Sequence, residues 1–183
     1  KLSEIDQMVD SYREELIVYA LQKKGLNEPI DTAVNDAEVS DYYTTYADNF
    51  LLSEPIIQGV LVKCKKDVPD LNKVASLVSG YKNSNAGELL GLCNQFGESC
   101  HLNDSVWVSI QSLLEGTPFY DLKSLKENPV SLKYYTTSDQ DFVYFFKIIA
   151  TLKKGDKAPL SFEKPIIKQL ILHNRKDDQK ENS

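Results

Sequence analysis

The run FVYFFKIIA, residues 142–150, is apolar on both faces of any strand it could form, apart from Lys147. Such a strand belongs in the middle of a sheet, covered above and below. Just ahead of it, SLKYYTT is rich in β-branched and aromatic residues, and the turn-forming Ser-Asp-Gln-Asp stretch at 138–141 separates the two runs. That pattern predicts an antiparallel hairpin over 131–152. A second buried strand is expected at EPIIQGVLVKC, 54–64, but Gly59 sits in its interior. Glycine weakens a strand, so at this position it marks a bulge or a close approach by something else.

Helical periodicity fills most of the rest. Ile5, Met8, Val9, Tyr12, Leu16, Tyr19 and Ala20 make one stripe, and Lys23, Lys24 and Gly25 make a stop. Asn35 and Glu38 have the spacing of a capping box ahead of Val39, Tyr42, Tyr43, Tyr46 and Phe50. Two short helices are expected after the first strand. One is capped by Asp70, with Leu71, Val74, Ala75 and Val78 inward, and the other by Asn85, with Leu89, Leu90, Cys93 and Phe96 inward. The segment 104–120 reads equally as strand or helix. Pro159 and Ser161 introduce a last helix with Ile166, Ile167, Leu170 and Ile171 on its apolar side, expected to fray into a solvated tail from His173.

Charge and composition narrow the function classes. With 27 acidic and 21 basic residues the chain carries a net charge of −6, which opposes a phosphate backbone, so no nucleic acid is expected as partner. No apolar run approaches the roughly 18 residues of a membrane span, so an integral membrane domain is not expected. The sequence opens at Lys1 with no leader-like segment, which leaves room for a lipid anchor upstream. Cys64, Cys93 and Cys100 lack metal-ligand spacing, and no metal or cofactor is called for. Idle thiols are the plainest reading, with a Cys93 to Cys100 disulfide in an oxidising compartment as the alternative. Cys100 beside His101 could pair as nucleophile and base only across a backbone bend, and His173 is expected to face a helix dipole.

NDAEVSDYYTTYADNF, IIQGVLVKC and FVYFFKIIATLKKGDKAPLSFEKPIIKQLI, in that order, resemble segments of the parvulin-type prolyl isomerases and the SurA and PrsA groups of envelope foldases. The resemblance runs from about residue 30 onward. It implies an α+β fold, a small antiparallel parvulin-like sheet with helices, flanked by N- and C-terminal helices. The implied division is a helical segment at 1–52, a degenerate parvulin-like domain at 53–155, and a helix with a polar tail at 156–183.

In this family a histidine pair meets across the first and last strands. The resemblance places Gly59 and Tyr144 at those positions, as cross-strand or diagonal neighbours, with Tyr144 filling the gap over Gly59. Neither supplies an imidazole, so no catalytic residue is assigned. An apolar peptide groove is implied instead, with Tyr144, Phe145, Trp107 and Cys100 as its candidates. The implied function is a chaperone-like protein of the periplasm or cell envelope that binds unfolded or partly folded polypeptides. The alternatives are a prolyl isomerase rebuilt on Cys100, Tyr144 or Phe145, and a non-catalytic adaptor for a folded partner. The stripes at 5–20 and 166–171 would then share one helical part.

Overall fold

The two both-face-apolar runs are hydrogen-bonded neighbours at the centre of one antiparallel sheet. The computed structural model describes Val9, Tyr12 and residues 33–181, with side chains through 178. In chain order its elements are α1 (Asp36–Thr45), β1 (Ile56–Lys65), α2 (Leu71–Ser79), α3 (Ala86–Phe96), β2 (Gly97–His101), β3 (Val108–Ser109), α4 (Ile110–Leu114), α5 (Lys123–Glu127), β4 (Tyr134–Ser138), β5 (Phe142–Leu152) and α6 (Leu160–Glu181). The fold is α+β. The chain divides into two compact units, residues 54–156 and residues 1–53 with 157–183.

In the unit 54–156 the strand order is β2-β1-β5-β4, with β3 pairing the start of β1. Because β1 and β5 are central, both their faces are buried. Val60, Val62, Cys64 and Phe145 turn toward Val74 and Val78 of α2 and Leu89 and Cys93 of α3. Ile57, Tyr144, Phe146 and Ile148 turn the other way, with Ile110 and Leu114 of α4, Phe119 of the 3-10 turn Pro118–Asp121 and Leu125 of α5. Full burial of each aliphatic side chain contributes about 1.5–3 kcal/mol, so these two clusters dominate the unit's stability.

The β4–β5 hairpin forms as its sequence predicts. Asp139 closes the turn, its Oδ1 accepting from the amides of Asp141 at 3.0 Å and Phe142 at 2.8 Å. The ambiguous segment resolves into both readings, two residues of strand followed by the short α4.

Two helix caps differ from expectation. Asp70 is the N-cap residue of α2, but it is left-handed (φ 68°) and its side chain makes no cap bond. Asn85 precedes α3, yet its side chain turns back to accept from the Lys82 amide and donate to the Gly80 carbonyl. Leu90, expected inward, is 49% exposed.

In the other unit α1 starts with the expected capping box, Asn35 and Glu38 exchanging side chain and backbone bonds. The helix ends at Thr45, and Phe50 is buried beyond it while Tyr46 is exposed. Tyr43 donates to the Ala158 carbonyl at 2.6 Å. The fraying expected from His173 does not occur: α6 continues to Glu181. Arg175 holds that extension by pairing with Glu38 and donating to the Ala33 carbonyl. His173 is therefore inside a helix and not at its last turn, with Nε2 3.2 Å from Asp177 and its ring edge-on to Tyr12 at 5.4 Å. Apart from Val9 and Tyr12, which are helical, the stripe expected at 5–20 lies outside the described residues. No described helix is long and apolar enough to cross a membrane.

Candidate functional site

Gly59 occupies the point where the central ladder changes register. Gln58 stands opposite Ala150 and Gly59 opposite Ile148, so Ile149 is the extra residue of a bulge in β5. A Cβ on Gly59 would lie 2.7 Å from the Lys147 carbonyl oxygen, and only glycine tolerates that approach. The nearest ring is that of Phe146, at 3.5 Å from the same point.

The pairing expected between Gly59 and Tyr144 is therefore corrected. Tyr144 faces Lys63, four residues further along β1. It shares the sheet face of Gly59 but is neither its direct nor its diagonal neighbour. Its hydroxyl donates to Asp139 Oδ2 at 2.6 Å. Burial, followed by that bond and the carboxylate's charge, pushes the phenol up to about 12. The partner Asp139 carboxyl is held below its usual range, first by the tyrosine hydroxyl and then by the turn amides. Lys63 Nζ sits 4.0 Å above the Phe142 ring beside this pair.

The four groove candidates do not converge. Tyr144 and Phe145 are consecutive strand residues and point to opposite faces, and both are core residues at 2% and 4% exposure. Cys100 packs on the Phe145 side and is joined to Cys93 in a disulfide, which replaces the idle-thiol reading. Cys64 is a buried free thiol, its pKa raised by desolvation. Trp107 is half-buried, just before β3. The segment containing it is tied to β1 by Gln58 Nε2, which donates to the Ser105 carbonyl at 3.0 Å.

His101 is the one imidazole brought to the sheet. It stands opposite Leu61 and so shares the face of Gly59 and Phe146, while its neighbour Cys100 faces away. Its Nε2 is buried with no hydrogen-bond partner, and burial lowers its pKa. A disulfide sulfur on the opposite face cannot serve as a nucleophile for this imidazole. Around Gly59 the sheet thus offers an apolar floor of Ile57, Phe146 and Ile148 with one neutral imidazole at its side, an arrangement built for packing.

No family model and no curated protein matches the chain. A solved structure matches. It is a SurA-like chaperone of the human pathogen Campylobacter jejuni, aligned with a TM-score of 0.40 at 12% identity over 96% of this chain and 69% of that one.

Sequence reasoning missed the sheet edges. β2 and β4 are the outer strands, and they differ in how they are guarded. The signal was present in YYTTS, a β-prone run with no charge and no proline.

Proposed function

We propose that the chain is a chaperone-like protein of the cell envelope that holds unfolded or partly folded polypeptides and does not catalyse prolyl isomerisation. The observation that carries the second half is the apolar surround of Gly59. Ile148 opposite it and Phe146 beside it are fully buried hydrocarbon, where catalysis on an amide would need polar groups. The envelope assignment draws on the Cys93–Cys100 disulfide, since such bonds persist in oxidising compartments. The resemblance of the three segments supplies the client class.

A protease-coupled assay on proline-containing tetrapeptides should show no acceleration over the uncatalysed rate. Light scattering of a denatured reporter protein should fall at stoichiometric amounts of the chain. Unchanged scattering at several-fold excess would overturn the chaperone reading in favour of an adaptor for a folded partner.

A rebuilt isomerase is the second reading, and His101 is what favours it, as an unpartnered imidazole nitrogen on the Gly59 face. Catalysis that survives repurification and disappears in His101→Ala would establish it.

A further inference from the structure

Among the described residues, the hairpin leaves one sheet edge open. In the β4–β5 ladder the Ile148 amide donates to the Lys133 carbonyl at 3.0 Å, and at the other end the Asp139 amide donates to the Phe142 carbonyl at 3.0 Å. Pairing between those ends is unbroken from Tyr134 opposite Lys147 to Ser138 opposite Val143. In an antiparallel ladder alternate residues bond to alternate sides. Lys133, Tyr135, Thr137 and Asp139 therefore bond inward to β5, and the N–H and C=O of Tyr134, Thr136 and Ser138 point outward. No described residue supplies partners for those six groups. Thr136 and Ser138 are exposed.

Edge strands are normally blunted by a bulge, a charge, a proline or a cover. The opposite edge has such devices. β2 carries Glu98, its pairing with β1 slips between Lys63 and Cys64, and the disulfide ties it to α3. β4 has no bulge, no charge and no proline.

We infer that the outer edge of β4 is a binding site for an extended segment of an unfolded polypeptide, which adds to the sheet as a further strand. This rests on the chaperone reading and names where the client is held. Only extended backbone matches a row of alternating donors and acceptors. The edge is five residues, about 17 Å, long. A contact confined to one strand edge of that length buries only a small part of the roughly 1,200 Å² that a stable folded complex buries, so it suits a transient segment better than a second copy of the chain. Tyr134 and Tyr135 lie on opposite faces, and each offers an aromatic cross-strand contact to whatever side chain the segment places beside it. Recognition is therefore through the main chain and tolerant of sequence, with preference for uncharged β-branched and aromatic segments.

The test uses the full chain and a fluorescent octapeptide of alternating valine and threonine. The wild type should bind it, and Thr136→Pro, which removes one outward N–H and no ladder bond, should bind about tenfold more weakly with an unchanged near-UV spectrum. Independently of any variant, the same peptide N-methylated at alternate residues should fail to bind the wild type. Equal binding by Thr136→Pro and the wild type, or retained binding of the methylated peptide, would overturn the site. If the wild type suppresses reporter aggregation but ignores the octapeptide, this inference fails and the chaperone reading stands. If it does neither, both fail. Self-association of the wild type that Thr136→Pro abolishes would make a second copy the occupant, and would also overturn the inference.

Discussion

Gly59 of β1 faces Ile148 of β5 across a bulge, with the Lys147 carbonyl 2.7 Å from the point where a Cβ would stand. Its role is steric access for the backbone at the centre of the sheet. Gly59→Ala should therefore destabilise, by about 1–3 kcal/mol, because strand backbone must shift to admit the methyl group. Urea denaturation measures it. An alanine variant as stable as wild type would mean the ladder relaxes freely at the bulge.

The Cys93–Cys100 bond closes a short loop around Gly97, with a sequence separation of 7. Loop-closure entropy for that length gives a stabilisation of about 2–3 kcal/mol. Reduction, or replacement of both cysteines by serine, should lower the denaturation midpoint accordingly. Alkylation in denaturant should label one cysteine, Cys64, before reduction and all three after it.

What the sequence encoded legibly was element type, and what it left open was register. A half-buried strand announces its phase by alternation, since a one-residue slip exposes its apolar set. FVYFFKIIA carries no alternation, because both its faces are buried, so nothing in it distinguishes Tyr144 from Ile148 as the partner of Gly59. The bulge at Ile149 moves the pairing further from any count of residues. Asp70 and Asn85 were rightly placed at helix starts, but a cap bond depends on backbone angles that composition does not reveal. The end of α6 was misread for another reason. Arg175 and His173 are polar, yet their partners Glu38, Ala33 and Tyr12 come from distant parts of the chain. The open edge of β4 is a fact of topology, and YYTTS acquires meaning only once its outer side is known to be vacant among the described residues.

Burial of His101 without a partner for Nε2 makes its protonation unfavourable in the folded state, and its pKa is lowered. A base with a depressed folded pKa contributes stability above its unfolded value, about 6.5, and loses it as pH falls through the folded one. His101→Leu should remove that dependence. The variant should gain stability relative to wild type at pH 5 compared with pH 8, read as the difference in denaturation midpoints. A constant difference across that range would mean the imidazole is solvated in the fold.

Glu38 accepts from the Asn35 amide at 2.9 Å and also pairs with Arg175 in the helical unit. Glu38→Ala removes half of the capping box together with the tie to α6. A loss of about 1–2 kcal/mol is expected. Glu38→Gln keeps a cap acceptor and should recover part of it. Circular dichroism should also show less helix in the alanine variant if Arg175 is what sustains α6 beyond His173.

The Tyr144–Asp139 bond links the turn of the hairpin to its central strand, and it sets stability limits at both ends of the pH scale. For the carboxylate the folded pKa is depressed, so its contribution is present above the unfolded value near 4 and is lost as pH falls below it. For the phenol the folded pKa is raised to about 12, so its contribution is full below the unfolded value near 10 and is lost as pH climbs from there toward 12. Tyr144→Phe should abolish the alkaline loss and diminish the acid one, at a cost of about 0.5–1.5 kcal/mol at neutral pH. Asp139→Asn should flatten the acid limb while keeping a hydrogen-bond acceptor for the hydroxyl. Denaturation midpoints of the three proteins between pH 3 and 11 decide the matter: parallel profiles would show that the bond is not coupled to folding.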